Sequence, residues 1–118
     1  PEDEESKRLT FSQAATGASG IETLLPLSLE LFHNKSIDLI KLIAAMTFNP
    51  AQILNINKGN LDKGNDADLC IVDINKPWVV NKSLLNSKSK NTPIENRKMQ
   101  GLVLKTYVKG EIAFERTQ

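Results

Sequence analysis

Apolar positions first fall into step at Ile21. In the stretch IETLLPLSLELF, Ile21, Leu24, Leu25, Leu29 and Phe32 recur at helical spacing, and Leu27 and Leu31 widen the stripe. This predicts a helix buried on more than one side. Pro26 confines its start to the turn before it, which makes Thr23 the candidate cap. After a break at Asn34-Lys35, Ser36 is placed to cap a second helix, Ile37–Met46, with Asp38 in its first turn, Ile37, Ile40, Ile43 and Ala44 on its inner side, and Leu39 and Leu42 beside them. Asn49 and Pro50 then read as cap and first residue of a third, short helix. Gln52 is spaced for a capping box, and Ala51, Ile53, Leu54 and Ile56 supply the apolar side. Helices joined by such tight links are expected to pack as neighbours.

The rhythm changes after Gly59 and Gly64, which sit among Asn, Asp and Lys as turn signals. Leu69–Ile74 reads as a buried strand, 75–77 as a turn, and Trp78–Val80 as a second short strand with the indole N–H satisfied at an edge. Ser83-Leu84-Leu85 fits one helical turn, and 87–97 is a polar, basic loop without the glycines or aromatics of a phosphate or nucleic-acid site. Leu102, Leu104, Thr106 and Val108 alternate with Val103, Lys105 and Tyr107. Lys109-Gly110 makes the turn into Glu111–Glu115, so the chain closes on a hairpin. At the other end, 1–8 is charged throughout and expected to be mobile. Thr10–Gly20 is small and polar, a loop that is either disordered or built to approach a ligand.

Composition narrows the field. A chain of 118 residues holds one modest core, whereas a complete (β/α)8 barrel needs about 250. The net charge of +1 gives no special attraction to nucleic acid or anionic lipid. No apolar run approaches a membrane span and the acidic start lacks a signal-peptide pattern, so a cytoplasmic location is the default expectation. The single cysteine, Cys70, permits no internal disulfide and is expected to be a small core hydrophobe. The single histidine, His33, falls near a helix end, where the dipole favours it. One His and one Cys cannot make a catalytic zinc site within this chain.

Three stretches carry a resemblance. The first is T-x-N-P-A-x-x-L followed by G-x-L-x-x-G-x-x-A-D-L-x-x-x-D, from Thr47 through Gly59 and Asp68 to Asp73. It resembles the passage from barrel to β-domain in the cyclic amidohydrolases: dihydroorotases, hydantoinases and allantoinases. The second is Ser87-Lys88-x-x-Asn91-Thr92-Pro93 with Gly101-x-Val103-x-x-Thr106-x-x-x-Gly110, and the third runs from Lys7 to Pro26. Both resemble class I, bacterial-type dihydroorotases; Ile94 stands where that family usually has Phe.

The resemblance implies an α+β fragment: the last helices of a metal-dependent hydrolase (β/α)8 barrel, followed by C-terminal strands of the small β-domain. By this reading 1–20 is a mobile segment and substrate-loop remnant, 21–57 the C-terminal barrel helices, and 58–118 the C-terminal part of the β-domain. It also implies that the intact enzyme interconverts N-carbamoyl-L-aspartate and L-dihydroorotate in pyrimidine biosynthesis, using a zinc-bound hydroxide. The family's Asp-His-x-x-His signature would end just before Pro1, so this chain is expected to be inactive alone and to carry no catalytic or metal residue. Thr16 and Gly17 match two loop residues whose backbone groups bind substrate, and Gly17, lacking a Cβ, suits that approach. Glu22 is left to the helix dipole. Expected partners are the missing barrel segment, a second copy, or aspartate transcarbamoylase. The rival readings are a hydantoinase or allantoinase, and a non-catalytic dihydroorotase-like scaffold for the transcarbamoylase.

Overall fold

The computed structural model describes residues 4–116. Four helices precede a three-stranded antiparallel sheet: α1 (Glu4–Lys7), α2 (Leu24–His33), α3 (Leu39–Met46), α4 (Phe48–Ile53), β1 (Leu69–Val79), β2 (Lys98–Val108) and β3 (Glu111–Glu115). Single 3-10 turns lead into α2 at Ile21–Thr23 and follow β1 at Lys82–Leu84. The sheet order is β1-β2-β3, so among the described residues β2 is the only strand paired on both sides.

Helices α2 to α4 follow the predicted pattern, with ends that differ in instructive ways, whereas α1 forms within the 1–8 stretch expected to be mobile. Thr23 holds the cap position of α2, but its hydroxyl bonds the Gly20 carbonyl rather than a helical N–H. Ser36 is no cap. It lies in the C-terminal closure of α2, where Lys35 takes a left-handed conformation (φ 63°) and the amides of Lys35 and Ser36 reach back to Phe32 and Leu31. Asp38 takes the cap position of α3 instead. In α4 the cap is Thr47, two residues before Asn49, so Pro50 occupies the third helical position and the expected capping box does not form. A proline is tolerated there because first-turn amides lack intrahelical partners. Asn55 (φ 52°) closes α4 in the same left-handed way, leaving Ile56 outside the helix.

The strand predictions need one merger. The two strands expected around 75–77 are a single strand interrupted by a bulge: Asp73 pairs with Leu102 and Pro77 with Gln100, so three β1 residues face one on β2. The Asp73 carboxylate accepts the amides of Asn75 and Lys76 at 2.9 and 3.0 Å, replacing the lost ladder bonds. Trp78, on the edge strand β1, donates its indole N–H across the ladder to the Gly101 carbonyl opposite the bulge, 3.1 Å away. The closing hairpin forms as predicted.

A small core lies where α2 crosses β2. Leu29 and Val80 are fully buried, with Met99, Leu42, Ala51 and Leu85 close behind. In α3 the inward side is Leu42 with half-buried Leu39 and Met46. Ile40 and Ile43, expected inside, are exposed. Cys70 and Ile71 are likewise exposed, and no residue of β1 is fully buried: as an edge strand it has one neighbour, and α2 packs chiefly on β2. The thiol sits 3.6 Å from the Thr106 hydroxyl on the open face. Total accessible surface is 8949 Å², against about 6,400 Å² for a self-contained globule of this mass. Large apolar side chains contribute to the excess, with Phe11, Ile21, Ile40 and Ile53 more than four-fifths exposed.

Candidate functional site

The loop carrying Thr16 and Gly17 is held from two directions. From its own end of the chain, α1 presents Lys7, whose Nζ lies 2.6 Å from both the Ala15 and the Gly17 carbonyl oxygens. The Ala15 amide returns to the Ser6 carbonyl at 3.0 Å. From the other end, Asn91 donates its side-chain amide to the same Gly17 carbonyl at 3.3 Å and accepts the Ser19 amide on its own carbonyl at 2.7 Å. The Ser19 hydroxyl lies 2.9 Å from that of Ser87.

Glu22 completes the seam. One carboxylate oxygen accepts the Ser87 amide at 2.9 Å and the other the Asn86 side chain at 3.0 Å. Partial burial works to raise this carboxyl. The hydrogen bonds from Asn86 and Ser87, with Lys90 nearby, outweigh it and hold Glu22 below the ordinary glutamate value. Its role is therefore to tie the start of α2 to the polar loop, which position near a helix start alone does not reveal. Lys90 in turn donates to the Leu85 carbonyl, and Arg97 pairs with Glu30 of α2 at 2.8 Å.

Thr16 and Gly17 themselves are exposed, and Gly17 takes φ 86°, a conformation suited to glycine, with open space where a Cβ would stand. Among the described residues the Thr16 backbone and the Gly17 amide have no hydrogen-bond partner. This leaves a carbonyl and amides free to meet a small polar ligand. Neither of the two main grooves includes these residues. One, about 730 Å³, lies between the end of α2 and the β1–β2 ladder beside Trp78. The other, about 370 Å³, lies beneath Leu25, Leu85 and Gly101.

His33 ends α2 with its ring against Phe32, and its Nε2 is buried without a partner among the described residues. Among those residues no three His, Cys, Asp or Glu side chains are grouped to hold a metal ion, and no helix is long and apolar enough to cross a membrane.

Sequence reasoning selected Thr16 and Gly17 but not the residues that hold them. Lys7, Ser19, Ser87 and Asn91 all lie inside the quoted motifs, yet nothing in one dimension says that positions 17 and 91 meet.

Comparison with known proteins places this geometry. The model of the "Amidohydrolase family" matches residues 10–113. The chain is 45% identical over 115 residues to a dihydroorotase of Ehrlichia chaffeensis, covering 98% of this chain and 26% of that protein. It is 42% identical over 116 residues to a dihydroorotase of a Wolbachia from Brugia malayi, again 98% and 26%. Among solved structures it is similar to the L-hydantoinase (dihydropyrimidinase) of Arthrobacter aurescens, with TM-score 0.82 and 34% identity over 91% of this chain and 24% of that one. It superposes on the D-hydantoinase of a Thermus species with TM-score 0.87 at 22% identity, over the whole of this chain and 27% of that one. The chain thus spans about a quarter of the length of the proteins it matches.

Proposed function

The chain belongs to the amidohydrolase family, and from that premise we propose that it is the C-terminal part of a dihydroorotase. The intact protein would interconvert N-carbamoyl-L-aspartate and L-dihydroorotate. The observation that carries this reading is the meeting of the two dihydroorotase-like stretches: Gly17, Ser19 and Glu22 of one are bonded by Asn91, Ser87 and Asn86 in or beside the other. Relatives 42–45% identical over nearly the whole of this chain are dihydroorotases.

In this reading residues 21–57 are the last barrel helices and 58–118 the closing part of the β-domain. Residues 1–20 carry the loop over the substrate. That division accounts for the exposed Ile40, Ile53 and Phe48, which would rest against the rest of the barrel. It also accounts for Thr16 and Gly17 lying outside the two grooves described above, because the remaining walls of the pocket would belong to the part of the relatives that this chain does not span. Thr16 and Gly17 bind the substrate through backbone amide and carbonyl groups, matching the planar amide and carboxylate of a small cyclic ureide.

Among the described residues no three His, Cys, Asp or Glu side chains are grouped to hold a metal ion. The zinc that would supply an activated water for such a reaction is therefore assigned no ligand among them. What the chain contributes is orientation and shelter. Solubility and a cytoplasmic setting go with that assignment, as does assembly with the barrel segment, with a second copy or with aspartate transcarbamoylase.

The experiment is a paired assay. The full-length parent should turn over L-dihydroorotate, and the 118-residue chain with added zinc should not. A parent that acts on hydantoin or allantoin and leaves dihydroorotate untouched overturns the reading.

A further inference from the structure

The substrate role of the Thr16–Gly17 loop demands a fixed backbone, and the loop has little to fix it locally. It contains no regular structure, and Gly17 is free to rotate. Lys7 solves this by a particular choice of acceptors: its Nζ sits 2.6 Å from the carbonyls of residues 15 and 17 and skips residue 16. With those two carbonyls turned onto one donor, the peptide groups between them are constrained as a unit, and the Thr16 carbonyl and Gly17 amide are left without a protein partner among the described residues. Asn91 takes the remaining acceptor capacity of the Gly17 carbonyl from the opposite side, at 3.3 Å, while its own carbonyl holds the Ser19 amide at 2.7 Å. The loop is pinned at 15, 17 and 19, and the pins leave free the groups a ligand would use.

We propose that Lys7 and Asn91 are positioning residues for substrate binding, clamping the Ala15–Ser19 backbone so that the free groups of Thr16 and Gly17 are presented to the ligand in one arrangement. This rests on the reading of Thr16 and Gly17 as the substrate contact, and goes beyond it by assigning the preorganisation to two side chains that need not touch the substrate. Removing a clamp leaves the chemistry unaltered and makes the ligand order the loop itself, so the loss falls on binding. Lys7 makes two short bonds and Asn91 one long one, so Lys7 carries more of the effect.

The test uses the full-length parent with L-dihydroorotate. Lys7→Met keeps the aliphatic length and removes the donors. KM is expected to rise about tenfold or more while kcat stays within about threefold. Lys7→Arg, which still offers two donors, should bring KM back to within about threefold of the parent, and Asn91→Ala should raise it by about threefold. Thermal midpoints should move little, which a merely structural role would not allow. An unchanged KM in Lys7→Met overturns the clamp, as does a rise matched by lost kcat that arginine fails to rescue. If Lys7→Met does not fold, Asn91→Ala decides, and an unchanged KM there overturns it too. A wild-type parent without activity on dihydroorotate sinks the functional reading and the clamp together. An active parent with indifferent variants sinks the clamp alone.

Discussion

Two irregular loops of this chain each hold a glycine with positive φ, and they are built in opposite ways. The segment between α4 and β1 is laced to itself. Asn57 bonds Asn65 at 2.7 Å, Asn60 bonds Asn65, and Lys58 reaches Asp66 and Asp68 at 2.7 and 2.5 Å, all within ten residues. Its Gly59 is pressed against backbone: an added Cβ would lie 2.7 Å from the Thr47 carbonyl carbon and 2.9 Å from the Phe48 nitrogen. The segment before α2 is held around Gly17 by Lys7 and Ser6 on one side and by residues 64–74 positions away on the other. Its Gly17 has nothing within 4 Å. Gly59 is required by packing and Gly17 by conformation alone, in a place left open; Gly64, further along the first loop, is open in the same way. A motif glycine thus marks packing at 59 and accessibility at 17.

Substituting both glycines is the sharpest way to break this contrast. Gly59→Ala combines a left-handed backbone with a clash against immovable main chain, and should cost about 3 kcal/mol or more in the parent, read as a fall in urea midpoint. Gly17→Ala carries the conformational strain alone, about 1–2 kcal/mol, with its larger effect on KM. Equal losses of stability would erase the distinction.

Glu22→Gln comes next. It removes charge-assisted bonds from the long-range seam and should cost about 1–2 kcal/mol at neutral pH. Because the folded-state pKa of Glu22 is lowered, its contribution is fully present above the ordinary glutamate value. It fades as pH falls through the lowered one. The variant should therefore show a flatter acid limb in stability against pH, and an unchanged limb would deny Glu22 this role.

Lys58→Met should have the smallest effect, since its bridges to Asp66 and Asp68 are part-exposed. Those hydrogen bonds raise the lysine pKa, so what stability they give is present below the ordinary lysine value and lost as pH rises through the raised one. The difference from wild type should disappear in molar salt, where the Debye length is about 3 Å. A persistent difference would mean that the loop is held by more than local charge.

Family motifs made the helices, the hairpin and the candidate loop legible, because caps, turns and alternation are properties of neighbouring residues. Asp68 shows where legibility stops. Read as the boundary of a strand, it accepts the Lys109 amide at 2.8 Å and, beside Ala67, fastens the distant β2–β3 turn. The same limit hid the bulge at 73–77. It also misplaced Cys70 and the inner side of α3, since burial depends on which face another element covers.

What the amino acids determined unaided was local: the identity of α2–α4 and of the closing hairpin, and the glycine-bearing turns. These follow from steric and hydrogen-bonding preferences within about ten residues, whereas the choice of Thr16-Gly17 as the loop to watch came from the family resemblance. The tertiary structure alone decided that residues 17, 19 and 22 meet 86, 87 and 91, and which apolar side chains stay uncovered. Contacts across some seventy residues depend on how the helices and sheet pack, and no local preference encodes that.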